Sequence, residues 1–165
     1  MKFCLVNGIE QNQIHIENRG LAYGDGLFTT AKIINGKIQY LSSHVQRLVL
    51  GCEKLVLFAP NKVELTEQLI QVAKPYKLAV LKVIITASNG GRGYARSIDP
   101  KSDIIIMVHD YPKHYEALAI KGITLGNSKQ QIGINPMLSG LKHLNRLEQV
   151  LLRQELVNTK EDDLV

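Results

Sequence analysis

Tryptophan is absent, and the remaining aromatic residues are three Phe and six Tyr. That is too few to interleave with basic residues as a stacking surface for nucleic acid. The positive residues behind the net charge of +5 are scattered and form no Lys/Arg run. A small anionic ligand accounts for such a mild excess equally well. No apolar run approaches the roughly 18 residues of a membrane span. The opening MKFCLVNGIEQ has only a short apolar stretch and no small-residue cleavage site, so no signal peptide is expected. Cysteine is scarce: Cys4 and Cys52 lie in apolar settings without CxxC spacing and read as two buried thiols. With no export signal, the expected compartment is a reducing cytoplasm. His15, His44, His109, His114 and His143 are dispersed, with no HExxH set, so no metal site is expected. A GxSxG nucleophile elbow is also lacking.

What is present is enough for a packed domain: 165 residues, 45% of them apolar. Two hairpins are signalled at the start. Phe3 to Val6 precedes Asn7-Gly8, and Leu27 to Ile34 precedes Asn35-Gly36, a dipeptide that favours tight primed turns. Between them lies Tyr23-Gly24-Asp25-Gly26, a turn with two permissive glycines. A helix should follow, capped by Ser42 or Ser43, with Val45, Leu48, Val49, Cys52, Leu55 and Val56 on its buried face. Asn61 should cap a second, whose apolar set is Val63, Leu65, Leu69, Ile70 and Val72. Leu78 to Thr86 and Ile104 to Val108 are β-branched runs that read as strands. They flank the glycine-rich Ser88 to Tyr94. A last helix is expected from about Leu144 to Val157, with Leu144, Leu147, Val150, Leu151 and Leu156 on its apolar side. Leu164-Val165 reads as the first two residues of a strand, so the chain is expected to stop inside a larger fold.

Three stretches carry chemistry. Lys142 stands where a flexible loop meets a helix, near His143 and Arg146. A lysine that forms a Schiff base must reach its aldehyde unprotonated, and neighbouring cations favour that state. Taken alone, a lysine at a helix start is more often a solvated surface residue. Arg47 falls one turn into a helix, where a guanidinium can grip a phosphate or simply shield the helix stem. Arg92 lies in SNGGRGY, which lacks the phosphate-loop spacing. Its glycines suit close approach to a substrate, with Arg92 facing a carboxylate, or a plain mobile loop.

Together these stretches resemble the fold-type IV pyridoxal phosphate enzymes, which include branched-chain and D-amino acid aminotransferases and aminodeoxychorismate lyases. GDGLFTTAKIINGKI, SSHVQRL, LKVIITASNGGRGY, YPKHY, GITL and GLKHLNRLEQVLLR are similar to the lyases in order and spacing, from about residue 5 onward. The resemblance implies an α+β fold: an N-terminal α/β sandwich-like domain over residues 1–112, then a linker and an incomplete start of a larger domain over 113–165. It implies pyridoxal 5'-phosphate held covalently by Lys142, which also moves the proton, with Arg47 on the cofactor phosphate. Thr29 and Thr30 would lie near the substrate, one of them assisting proton transfer. Arg92, Tyr23 and Asn145 would line the substrate side, Asn145 as a supporting residue. The implied reaction converts 4-amino-4-deoxychorismate, a small-molecule substrate, to 4-aminobenzoate and pyruvate. A homodimer is implied, with no nucleic acid or membrane partner. Family members continue well past this length, so the chain alone is expected to be inactive or to hold the cofactor poorly. The alternatives are a D-amino acid or branched-chain aminotransferase and, in another class, a non-catalytic fragment or dimerisation domain.

Overall fold

A computed structural model describes residues 1–165. Two compact units emerge: Met1–Tyr111 with Leu141–Leu144, and Pro112–Gly140 with Asn145–Val165. The elements of the first are β1 (Phe3–Val6), β2 (Ile9–Glu10), α1 (Arg19–Tyr23), β3 (Gly26–Ile34), β4 (Lys37–Ile38), α2 (Leu41–Lys54), α3 (Lys62–Ala73), β5 (Leu78–Ala87) and β6 (Ser102–His109). Its strands form one antiparallel sheet in the order β2-β1-β6-β5-β3-β4.

Both Asn-Gly pairs form the expected primed turns. Asn7 and Gly8 have φ of 52° and 80°, and Asn35 and Gly36 have 49° and 74°. Left-handed backbone at both central residues matches the twist of the flanking strands. Residues then alternate across β3: Leu27, Thr29, Ala31 and Ile33 are buried, whereas Phe28 and Thr30 are not. The same period places Ala79, Leu81, Val83 and Ile85 of β5 on the buried face. Val45, Leu48 and Cys52 of α2 and Leu65, Leu69 and Val72 of α3 join them in one core. Fully burying such aliphatic side chains contributes about 1.5–3 kcal/mol each. The opposite sheet face carries a smaller cluster of Cys4, Val6 and Ile105. Both cysteines are buried free thiols, as expected. Burial, helped by the charge of Glu53, pushes the Cys52 thiol up to about 11.

Asn61 caps α3 as expected, its Oδ1 accepting from the backbone of Val63 and Glu64 at 2.9 and 3.2 Å. The start of α2 differs. Tyr40, at φ 55°, turns the chain straight out of β4, so the helix begins at Leu41 and neither Ser42 nor Ser43 caps it. At the other end Val56 lies beyond the helix, exposed and itself at φ 54°, rather than on its buried face. On α3, Val63 and Ile70 are exposed.

The second unit contains α4 (His114–Lys121), β7 (Leu125–Gly126), α5 (Leu147–Leu156) and β8 (Asp163–Leu164). β7 and β8 pair in parallel. The expected final strand is thus present, one residue earlier than read. α5 is shorter than the sequence suggested and buries only Leu156; Leu147, Val150 and Leu151 are exposed. A unit this small has too little structure of its own to cover an apolar stripe. Glu155 anchors the loop after β7, accepting from Lys129 N and Ser128 Oγ, both at 2.9 Å. No helix of the chain is long and apolar enough to cross a membrane.

Candidate active site

Lys142 reaches the first unit through backbone pairing. Phe28 N donates to Lys142 O at 2.8 Å, and Leu144 N donates to Gly26 O at 2.9 Å. Leu27 and His143 are thereby bridged in antiparallel fashion. The segment extends the sheet edge at the start of β3, and paired residues there share a face. Lys142 and Phe28 therefore point the same way, with Lys142 Nζ 4.7 Å from the Phe28 ring centroid. Lys82 approaches the same ring, its Nζ 5.3 Å from the centroid. It stands opposite Thr30 in the β3–β5 register. One aromatic ring is thus approached by two ammonium groups, and the negative charge of its π-face is what attracts a cation there.

Thr29 faces the helix side instead and is 1% exposed. Its Oγ shares a 2.7 Å hydrogen bond with His44 Nδ1 and accepts from Arg47 Nη1 at 3.5 Å. Burial, and then the charge of Arg47, push the His44 imidazole below its ordinary range, so it is neutral at pH 7. The threonine oxygen can accept from Arg47 with either direction of the bond to His44: the hydroxyl donates when Nδ1 is bare and accepts when Nδ1 carries the proton. The guanidinium of Arg47 itself is exposed.

A third group surrounds the GDG turn. Arg19 Nε donates to Asp25 Oδ2 at 3.0 Å, and Arg96 Nε donates to the same oxygen at 2.9 Å. Burial alone would raise the Asp25 carboxyl; hydrogen bonds from Arg96 and Arg19, and their charge, outweigh it and hold the group below the usual carboxylate range. Tyr23 is stacked in this group, under the Arg19 guanidinium at 4.6 Å and beside Tyr94 at 5.7 Å. Arg92 is exposed in the glycine-rich loop, bridged to Ala95.

Of the residues singled out from sequence, Lys142 and Thr30 lie on one face of β3, and Thr29 and Arg47 on the other. Tyr23 and Arg92 belong to the GDG side, Tyr23 through its stacking on Tyr94 of the Arg92 loop. Asn145 falls in the second unit and is exposed. Sequence reasoning missed Lys82, His44, Arg19, Asp25 and Arg96 as functional candidates. Lys82 carried a signal, being the one charge inside the β-branched run LAVLKVIIT.

The profile of the amino-transferase class IV family matches residues 26–165, from the start of β3 through Lys142 to the last residue. The chain belongs to that family. This class IV chain is 32% identical over 160 residues to the aminodeoxychorismate lyase of Vibrio harveyi, covering 97% of this chain and 59% of the relative. It superposes on the 4-amino-4-deoxychorismate lyase of Pseudomonas aeruginosa with a TM-score of 0.85 at 33% identity, over 92% of this chain and 56% of that one. The branched-chain amino acid aminotransferase of Escherichia coli shares the fold, with a TM-score of 0.83 at 19% identity, over 98% of this chain and 58% of that one. The class IV chain thus spans a little over half the length of these relatives.

Proposed function

We propose that this class IV chain carries the Schiff-base lysine of a pyridoxal phosphate lyase that converts 4-amino-4-deoxychorismate to 4-aminobenzoate and pyruvate. The observation that carries the reading is the seating of Lys142: its backbone is pinned to β3 and its amine rests on Phe28, a ring that Lys82 also approaches. The likeness to two lyases at about one-third identity supports the choice of reaction.

The donor set fits the cofactor chemically. On one face of β3 an amine is available for its aldehyde; its phosphate is assigned to the exposed guanidinium of Arg47, which comes from α2 on the other face of that strand. When bound, the cofactor supplies an electron sink for the carbon that bears the substrate amine. The neutral form of the Lys142 amine is the form that attacks an aldehyde or takes a proton. Lys142 takes the proton from the amine-bearing carbon. The carbon–oxygen bond to the enolpyruvyl group then breaks, and the proton passes to the leaving group, which departs as pyruvate while the ring becomes aromatic. Thr30, on the same strand face as Phe28 and opposite Lys82, is placed to assist that transfer. Thr29 is engaged with His44 and Arg47 and instead orders the phosphate side. Arg92 takes a substrate carboxylate, and the paired ring of Tyr23 borders it. The family resemblance supports reading the working protein as a homodimer, whose native mass would be twice that of one chain, and a cytoplasmic location is part of the same proposal.

The test is product analysis on the working protein that contains this chain, purified and loaded with the cofactor. Release of 4-aminobenzoate and pyruvate without amino-group transfer is expected, and Lys142→Ala should lower the rate at least about a hundredfold. Transamination of D-alanine or branched-chain amino acids without 4-aminobenzoate would reject the lyase reading.

A further inference from the structure

Asp25 is shared between two guanidiniums. Besides the bonds from Arg19 and Arg96 to Oδ2, Arg96 Nη2 donates to Oδ1 at 2.5 Å. The two guanidiniums have further donors, and these go to backbone carbonyls. Arg19 reaches Gly93, Tyr94 and Ala95 at 3.1, 3.1 and 3.3 Å. Arg96 reaches Leu55 and Val56 at 2.9 and 2.7 Å, just past the end of α2. One carboxylate therefore ties four segments together: α1, the turn into β3, the exit from α2 and the glycine-rich loop.

That loop depends on external ties. Residues 89–95 are all exposed. Gly90, Gly91 and Gly93 have φ of 109°, 83° and 58°, a shape favoured by no side chain and open to many alternatives when released. At Gly91 an added Cβ would meet Ala95 O at 2.1 Å, so the turn that presents Arg92 is closed tightly on itself. Without the Asp25 charge, Arg19 and Arg96 are two partly buried like charges with no counter-ion between them, an arrangement that drives them apart. The carbonyls they hold move with them.

We propose that Asp25 is a positioning residue for Arg92: its charge holds the 89–96 loop in the shape that presents the Arg92 guanidinium to a substrate carboxylate, without itself touching substrate. This rests on the reading of Arg92 given under Proposed function.

The experiment uses the cofactor-loaded enzyme as Asp25→Asn, Arg92→Ala and the double variant, with hydrogen exchange of the loop measured beside the kinetics. Asparagine keeps the shape and removes the charge. Asp25→Asn is expected to raise KM by about tenfold with kcat little changed, because misplaced binding groups act on affinity first. Exchange over residues 89–96 should quicken while that of β5 does not. The double variant should be no worse in KM than Arg92→Ala alone, since the two act on one interaction. If Asp25→Asn is poorly folded, Arg96→Lys removes the fork and leaves the Arg19–Asp25 pair, and the same pattern is expected in weaker form. Additive KM effects, or a loop as protected as in the parent, would overturn the proposal. An Arg92→Ala enzyme with unchanged KM would overturn the assignment of Arg92 as well. The exchange data would then show whether the anchoring of the loop stands while its function does not.

Discussion

At the scale of single residues, the site divides by strand parity. Phe28 and Thr30 face Lys142 and Lys82, whereas Thr29 faces His44 and Arg47. His44 is the group whose protonation should disturb this arrangement. Its folded-state pKa is lowered, so the folded protein prefers the neutral ring. That preference contributes stability above the pKa of a free histidine, about 6.5, and loses it progressively as pH falls through that value. Below its own lowered pKa the ring would become cationic and also face the Arg47 guanidinium. His44→Gln removes the titrating group and keeps a polar side chain. The urea midpoint of the parent should fall more between pH 7.5 and 5.5 than that of the variant; parallel curves would refute the assignment. Neither the parity nor the Asp25 cluster was legible in the sequence. Adjacent threonines look alike there, and Arg96 meets Asp25 only after the chain has passed through two helices and β5.

At the scale of elements, local chemistry was read well and long-range pairing was not. The Asn-Gly turns, the Asn61 cap and the β-branched runs of β5 and β6 all declare themselves through neighbouring residues. Tyr40 did not: a left-handed tyrosine starts α2 where two serines offered caps. Still less could periodicity show that Lys142 to Leu144 pairs with the start of β3, because strand pairing across such separation has no local signature. Leu144 read as the first apolar residue of a helix and proved to be a backbone partner of Gly26. That pairing depends on Gly26 having no side chain. A Cβ there would lie 2.4 Å from Ile85 O and 2.8 Å from Leu144 Cδ1. Gly26→Ala must push β3 away from β5 or the lysine segment away from β3. We expect a loss of about 1–3 kcal/mol in denaturant unfolding, as for overpacked sites. The reactivity of Lys142 toward pyridoxal phosphate should fall with it. Parent-like stability together with parent-like labelling would show that the edge pairing does not seat the lysine.

At the scale of the whole molecule, two compact units carry very different burdens. The first holds the six-stranded sheet, a continuous core and every residue placed around Lys142, Thr29 and Asp25. The second is small and leaves the apolar stripe of α5 open. The fold type and the family were legible from six ordered segments, because turn glycines, caps and charged site residues recur at set spacings. The match to the class IV profile over residues 26–165 agrees with that reading. The central claim is that Lys142 is the residue that binds pyridoxal phosphate covalently. The most direct test is borohydride reduction of the cofactor-treated protein, followed by peptide mapping. The account predicts one pyridoxyl group, on the peptide containing Lys142, and none there in Lys142→Ala. A label spread over surface lysines, or concentrated on Lys82 with Lys142 unmodified, would contradict it.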